Sequence, residues 1–204
     1  MKILLTGATG FIGKKLIQEL LNKDFELSII LRKKVDYFSD KVRQFVIGDF
    51  AKYSNELTSI DCVIHLAGKA HVIDKNKASV LDEFRLINTD FTLSLARQAA
   101  TAGVNRFIFL SSIGVNGNQN TKPFLESDTP NPQEPYAISK YEAEQGLFKL
   151  AKETDMEVVI IRPPLVYGLN APGNFGRLMS WASKKYPMPL PLGLVSNSRS
   201  LVAI

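Results

Sequence analysis

Short apolar runs alternate with amphipathic segments over the first 160 residues, and this alternation constrains the fold more than any other feature. Between the runs, helical periodicity predicts a helix after the first run and longer helices over Ala78–Ala102 and Pro135–Lys152. Strands separated by helices form right-handed βαβ units, so the sequence predicts an α/β fold with a doubly wound parallel sheet. The predicted strands are Lys2–Thr6, Leu27–Leu31, Val42–Ile47, Cys62–Leu66, Arg106–Leu110 and Val158–Ile161.

The sequence changes character after Pro163. Residues 163–204 hold six of the ten prolines and show no regular alternation of strand and helix. We therefore predict an α/β domain over 1–168 and the beginning of a small second lobe over 169–204. The chain ends on the apolar run Leu201–Ile204 with no polar tail, so we expect this substrate-side lobe to be truncated.

Composition excludes several classes of site. Cys62 is the single cysteine and there are two histidines, which rules out an intrachain disulfide and disfavours a metal site. No apolar run reaches the roughly 18–20 residues of a membrane span, and the N-terminal run is too short for a signal peptide. The net charge of +5 comes from scattered lysines and arginines. These features favour a cytoplasmic protein with no metal and no nucleic-acid or membrane partner.

Three glycines follow the first predicted strand at intervals of three residues. Glycine permits a tight turn there and lets a phosphate approach the backbone, while the start of the next helix offers free N–H groups and a partial positive charge. A glycine turn between a strand and a helix is typical of dinucleotide sites. The predicted cofactor-binding residues in this turn are Gly7, Thr9, Gly10, Phe11, Ile12 and Gly13.

The end of the second predicted strand bears on which dinucleotide binds. An NAD enzyme usually has an acidic residue there to bind the ribose hydroxyls. This sequence has Arg32-Lys33-Lys34 instead, and no acid before Asp36. A carboxylate would repel a 2′-phosphate, whereas a guanidinium can bind it through two hydrogen bonds. We therefore favour NADP, with Arg32 as a phosphate ligand; the alternative is NAD, with Arg32 a solvated charge.

Tyr136 and Lys140 are four residues apart in a predicted helix and share one face. An ammonium group near a phenol favours the phenolate and lowers the tyrosine pKa from about 10. A tyrosine tuned in this way can exchange a proton with an alcohol or ketone near neutral pH. Because the pair follows a dinucleotide-type turn, we predict that it is catalytic.

Six short segments, taken in order, carry a family resemblance. They are Thr6–Gly13, His65-Leu66-Ala67-Gly68, Asn88-Thr89, Phe109-Leu110-Ser111-Ser112, Tyr136–Lys140 and Arg162–Gly168. They resemble the short-chain dehydrogenase/reductase superfamily, in its extended branch of nucleotide-sugar epimerases, dehydratases and reductases. The resemblance covers nearly the whole chain and implies a Rossmann fold that binds NAD or NADP.

The resemblance also implies roles for individual residues. Tyr136 matches the acid/base, Lys140 the residue that holds the nicotinamide ribose and tunes Tyr136, and Ser112, rather than Ser111, the serine that hydrogen-bonds the reacting oxygen of the substrate. Implied substrate contacts to the diphosphate are Asn174 and Arg199. Further implied cofactor contacts are Asp49, Phe50, Leu66, Ala67, Gly68, Pro163 and Val166.

Departures from the family pattern narrow the reaction. In the family that the chain resembles, the 4,6-dehydratases have an Asp-Glu pair after the active-site serine or threonine. In this sequence Ile113-Gly114 follow Ser112 instead. The segments look most like a bacterial group named UDP-glucose 4-epimerase, which includes 4-keto reductases. The resemblance therefore implies reduction at C4 of a UDP-4-keto-6-deoxy-hexosamine. The alternatives are a UDP-sugar 4-epimerase or a non-catalytic cofactor-binding protein of the same fold, and a homodimer is also compatible with the resemblance.

Overall fold

The computed structural model describes residues 1–47, 54–70, 77–183 and 200–204. The chain forms two compact units, Met1–Arg162 and Pro163–Ile204. The domain boundary expected between 168 and 169 stays a prediction. In the described ranges, none of the helices combines the length and apolar character that crossing a membrane requires.

The first unit is built on a six-stranded parallel sheet with the strand order β3-β2-β1-β4-β5-β6. Every neighbouring pair in it is parallel. The order reverses at β1, which lies between β2 and β4, and this confirms the predicted doubly wound Rossmann fold. The strands are β1 (Lys2–Thr6), β2 (Glu26–Leu31), β3 (Val42–Val46), β4 (Cys62–His65), β5 (Arg106–Leu110) and β6 (Glu157–Ile161).

Helices connect these strands except for β2 and β3. The three predicted helices are observed with bounds close to those predicted, whereas the short helix Ser54–Leu57 was not predicted. The long predicted helix over Ala78–Ala102 is observed as three consecutive pieces, of which the middle one, Arg85–Asp90, is π-helical. Gly103, with φ +80°, follows its end. The helices are α1 (Phe11–Leu21), α2 (Ser54–Leu57), α3 (Lys77–Phe84), α4 (Phe91–Thr101) and α5 (Pro135–Glu153), with a 3-10 turn at Ile113–Val115.

Apolar side chains cover both faces of the sheet. Successive residues of a strand point to opposite faces, so Leu4 belongs to one core cluster, and Ile3 and Leu5 belong to the other. Leu95 and Leu147 pack in the first cluster, and Ile17 packs in the second. Helices on both faces explain why the strands read as continuous apolar runs.

The second unit contains a two-stranded parallel sheet and one helix. Its elements are β7 (Leu165–Tyr167), α6 (Gly173–Ala182) and β8 (Leu201–Ala203). The amide of Ile204 donates to the carbonyl of Tyr167, at 3.0 Å, and extends the strand pairing. The strand-like reading of Leu201–Ile204 is confirmed for Leu201–Ala203, whereas α6 was not predicted.

The turn between β1 and α1 depends on two glycines that lack the room for a side chain. Gly7 has φ +74°, which strains other residues, and a Cβ at Gly13 would lie 2.2 Å from the carbonyl oxygen of Gly7. Gly10 caps α1, and its amide donates to that same oxygen at 3.0 Å. Helix α1 therefore begins directly against the end of β1.

The replacement Gly13→Ala should destabilise the fold strongly. The new methyl group would overlap backbone atoms that cannot move without opening the turn, so we expect the free energy of unfolding to fall by about 3 kcal/mol or more. Urea denaturation measures the change. The control is Gly103→Asn, because nothing lies within 4 Å of a Cβ there and asparagine tolerates a left-handed conformation. Equal losses in the two variants would contradict the close-contact argument.

Candidate functional site

The glycine turn lies against the loop that follows β4. A Cβ at Gly7 would be 2.6 Å from the amide nitrogen of Ala67 and 2.9 Å from the carbonyl oxygen of Leu66. The amide of Ala67 donates to Thr6 Oγ1 at 3.3 Å. The structure thus brings together two predicted cofactor segments, Gly7–Gly13 and Leu66–Gly68, at the point where the strand order reverses.

The start of α1 fits the phosphates of a dinucleotide. Gly10 has no side chain to cap the helix, and the first turn of α1 contains no acidic residue. Thr9 is exposed in the turn, whereas Phe11 and Ile12 are half-buried. The first amides of the helix are therefore donors without a side-chain cap, and the helix dipole adds a partial positive charge.

Arg32 directly follows β2, the strand next to β1, and its side chain is exposed. Lys33 and Lys34 are exposed beside it. Because β1 and β2 are parallel, Arg32 lies at the same edge of the sheet as Gly7. This edge carries positive charge next to the glycine turn.

Several predicted site residues cannot be placed against this edge. Asp49, Phe50 and Arg199 lie outside the described residues, and Asn174 is described only as part of the backbone of α6. Pro163 and Val166 belong to the second unit, Val166 within β7.

Lys140 is buried under the carboxyl end of β5. Its side chain is only 3% exposed, and Nζ donates to the carbonyl oxygen of Leu110 at 3.0 Å. Nζ also lies 4.5 Å from the centre of the Phe109 ring. A Cβ at Gly68 would lie 3.1 Å from the same Nζ atom. Burial lowers the pKa of Lys140 from 10.5 to about 8, and the negative charge of Glu144 opposes that fall. Gly68 is therefore the residue of the β4 loop that gives this ammonium group room.

Tyr136 occupies the first turn of α5, and its ring meets Phe84 edge-on with the ring centres 5.9 Å apart. Burial raises the pKa of Tyr136 above 10. This is opposite to the direction predicted from the Tyr136–Lys140 spacing. The physical reason is that the phenol is buried while the Lys140 ammonium bonds to the end of β5. The chain alone therefore favours the protonated phenol.

The two serines after β5 have different partners. Ser111 is 3% exposed, and its hydroxyl donates to Glu144 Oε1 at 2.5 Å. Ser112 is partly exposed, and its Oγ accepts from the amide of Gly114 at 3.2 Å. Residues 112–116 form the serine turn, in which Ser112 precedes the 3-10 helix. A Cβ at Gly114 would lie 3.4 Å from both Ser112 Oγ and Ala137 Cβ, so the serine turn lies against the first turn of α5. The hydroxyl proton of Ser112 remains able to donate to a substrate.

An ion pair between a buried glutamate and a partly exposed arginine lies next to these residues and was not predicted from the sequence. Glu144 is fully buried, and Arg162, directly after β6, binds it with Nε–Oε1 at 3.0 Å and Nη2–Oε2 at 2.5 Å. Arg162 Nη1 donates to Asn116 Oδ1 at 3.0 Å. Hydrogen bonding to Glu144 raises the pKa of Arg162. The sequence carries no local signal for this pair, because its two members are 18 residues apart.

A second buried network joins the glycine turn to the tyrosine helix. Thr92 Oγ1 donates to the carbonyl of Asn88 at 2.7 Å, so it must accept from His65 Nε2, 2.9 Å away. His65 Nδ1 then accepts from Thr6 Oγ1 at 2.6 Å. Asn88 Nδ2 donates to Ser139 Oγ at 3.1 Å, next to Lys140. Burial, reinforced by the charge of Lys140, lowers the pKa of His65 to about 3, so this histidine is a neutral structural link.

Replacing Lys140 by methionine should stabilise the chain at neutral pH. The folded-state pKa of about 8 lies below the ordinary 10.5, so the unfolded chain binds more protons between these values. The free energy of unfolding of the wild type, relative to Lys140→Met, therefore falls as the pH drops from 10.5 to 8 and is constant below. We expect the variant to be more stable by about 1–3 kcal/mol at pH 7. Urea denaturation at pH 7, 8 and 9.5 measures this difference, and a difference independent of pH would contradict it.

Comparisons with known proteins agree with this geometry. A protein described as UDP-glucose 4-epimerase from Vibrio cholerae is 42% identical over 208 residues, which is 99% of this chain and 62% of that protein. The solved structure of MoeE5 in complex with UDP-glucose and NAD has 29% identity and a TM-score of 0.77, covering 88% of this chain and 60% of that one. The UDP-glucuronic acid 4-epimerase from Bacillus cereus in complex with NAD has 26% identity and a TM-score of 0.78, covering 89% and 62%.

The chain spans about three fifths of the length of these relatives. A family match is nevertheless continuous over nearly all of it. Residues 3–199 match the NAD dependent epimerase/dehydratase family, the range that includes the glycine turn and the Tyr136–Lys140 pair. The chain therefore belongs to the NAD-dependent epimerase/dehydratase family, in the extended branch of the short-chain dehydrogenases/reductases.

Proposed function

We propose that this protein transfers hydride at C4 of a UDP-sugar, using a nicotinamide dinucleotide. The observation that carries the proposal is the arrangement at one edge of the sheet. The uncapped start of α1, the buried Lys140 ammonium and the partly exposed Ser112 hydroxyl lie at the carboxyl ends of β1 and β5. Ligands of open α/β sheets bind at this edge.

The residues present fit a dinucleotide. The glycine turn would accept the pyrophosphate. A side chain at Gly7 or Gly13 would overlap neighbouring backbone atoms, so glycine at these positions is what allows the backbone to form this turn. Lys140, beside Gly68, is in place to bind ribose hydroxyls of the nicotinamide half. When bound, the nicotinamide supplies or accepts the hydride.

The chain's own groups would handle the proton and hold the sugar. Tyr136 exchanges a proton with the C4 oxygen, Ser112 donates a hydrogen bond to that oxygen, and Lys140 favours the phenolate when the proton has left. The raised pKa of Tyr136 keeps the phenol protonated, which suits donation to an oxygen whose carbon receives hydride. Asn174 and Arg199 are proposed contacts of the substrate diphosphate, and Asp49, Phe50, Pro163 and Val166 are proposed further cofactor contacts.

Two reactions share this machinery, and different observations support each. Arg32, exposed at the end of β2 with Lys33 and Lys34, supports NADPH as a dissociable reductant and hence reduction of a UDP-4-keto-6-deoxy-hexosamine. The 42% identical relative described as UDP-glucose 4-epimerase, and solved relatives that contain NAD, support a 4-epimerase that retains its cofactor. A homodimer stays a prediction.

Titration with NADPH and NADH should separate the two reactions. If Arg32 binds a 2′-phosphate, Arg32→Asp should weaken NADPH binding about tenfold or more and leave NADH binding nearly unchanged. Calorimetry of the purified chain measures both affinities, after a check for retained nucleotide. The control is Arg97→Asp, which changes an exposed arginine on α4. Preference for NADH, or tightly retained NAD, would favour the epimerase and would show that Arg32 does not bind a 2′-phosphate.

Removing the hydroxyl of Tyr136 should abolish turnover without loss of cofactor binding. General acid–base catalysis contributes about 10²–10⁴-fold, so Tyr136→Phe should lower kcat by that factor in the full-length protein. Turnover is assayed with UDP-glucose for epimerisation and with a UDP-4-keto sugar plus NADPH for reduction. Tyr37→Phe, at an exposed position, is the control. Unchanged turnover in Tyr136→Phe would contradict the proposed role of Tyr136 as the acid/base.

A further inference from the structure

Glu144 is buried at a junction of four structural elements. It lies on α5 one turn after Lys140 and is 0% exposed. Ser111, directly after β5, donates to one of its oxygens at 2.5 Å, and Arg162, directly after β6, binds both. Arg162 extends the contact to Asn116, which ends the serine turn. The carboxylate therefore connects α5, both strand ends and the turn that carries Ser112.

The same junction holds Lys140 through the neighbouring residue. Lys140 Nζ donates to the carbonyl of Leu110, and the next residue along the chain, Ser111, donates to Glu144. Two side chains one turn apart on α5 thus bind two consecutive residues at the end of β5. This pairing fixes the height of α5 along the strand, and with it the position of the tyrosine turn relative to the serine turn.

Glu144 also supplies the negative charge near Lys140. Among the described residues, the other titratable or charged groups around the pair are His65 at the end of β4, Tyr136 and Tyr141 on α5, and Arg162 after β6. His65 is neutral, burial favours the uncharged form of Tyr136, and Arg162 is a cation. Without the carboxylate, a buried lysine and a partly exposed arginine would remain, and among the described residues no other carboxylate bonds to either of them.

We propose that Glu144 is a positioning residue for the proposed reaction: its carboxylate, held by Ser111 and Arg162, is the counter-charge that maintains the Lys140 ammonium and ties the serine turn to the tyrosine helix. The inference rests on the proposed function for its catalytic meaning. Its physical content, the coupling between Glu144 and Lys140, can be measured without turnover.

The experiment is an NMR titration of Lys140 in the chain labelled with ¹³C at lysine Cε, with the signal assigned by Lys140→Met. In Glu144→Gln the negative charge is lost and Arg162 is uncompensated, so we expect the pKa of Lys140 to fall by about one pH unit. Glu144→Asp keeps the charge and should restore most of the wild-type value. The control is Glu142→Gln, which removes a glutamate of the same helix that binds Arg85 with Nη2–Oε1 at 2.6 Å; it should leave Lys140 unchanged.

Turnover then gives the second readout. Activity that requires charged Lys140 falls as the pH rises through its pKa, so Glu144→Gln should move the alkaline limb of the kcat profile to lower pH by the same interval. If Glu144→Gln does not fold, Glu144→Gln/Arg162→Met removes both charges together, an exchange that buried ion pairs tolerate better. A smaller fall in the pKa of Lys140 is expected in this double variant, because the Arg162 cation, which disfavours a second positive charge, is removed together with the carboxylate.

The outcomes separate the two proposals. An unchanged Lys140 titration in Glu144→Gln, or in the double variant, overturns the role of Glu144 whatever the enzyme does. A shifted titration in a protein that turns over no UDP-sugar supports the Glu144–Lys140 coupling and rejects the proposed function instead.

Discussion

The site depends on one close approach between two backbones. At the centre of the sheet the glycine turn after β1 lies against the loop after β4, at distances that leave no space for a Cβ on Gly7. Thr6 and His65, the last residues of those two strands, are joined by a hydrogen bond just beneath. Since the parallel order brings every carboxyl end to this edge, the approach determines where a dinucleotide could lie and where α5 must place its lysine.

Helix α5 carries one buried residue, Lys140, that lowers the stability of the fold. Burying Lys140 opposes folding at neutral pH, and the Leu110 carbonyl and Glu144 only partly offset this. The helix is held nevertheless by the apolar contacts of Ala143 and Leu147, which are buried on the same face. The stability of the apolar core therefore outweighs the cost of burying this cation at the position where we propose that it contacts a ribose and the phenol of Tyr136.

The sequence predicts most of the fold because the strands are buried on both faces. Lys2–Thr6 and Arg106–Leu110 are observed with the predicted bounds, since continuous apolar runs end where the glycine turn and the serine turn begin. Helix α6 was not predicted, because its two glycines obscure helical periodicity.

The candidate site was predicted less completely than the fold. The Tyr136–Lys140 spacing indicates a shared helix face but not the direction in which the lysine side chain leaves it. Long-range partners carry no local signal. Glu144 reads as a solvated charge in its own segment, and only the approach of Ser111 and Arg162, 33 and 18 residues away, makes it a buried anion.

The π-helical turn at Arg85–Asp90 limits how this chain can change in length. It holds Asn88 and Thr89 together against α5, where both bond to Ser139. A π-helical turn holds about one residue more than an α-helical turn, so deleting one residue here would convert it to regular α-helix and change which side chains face Ser139. A residue gained or lost in an exposed loop, such as the one that holds residues 118–122, would leave these bonds to Ser139 intact, whereas the extra residue of the π-helical turn is needed to form them.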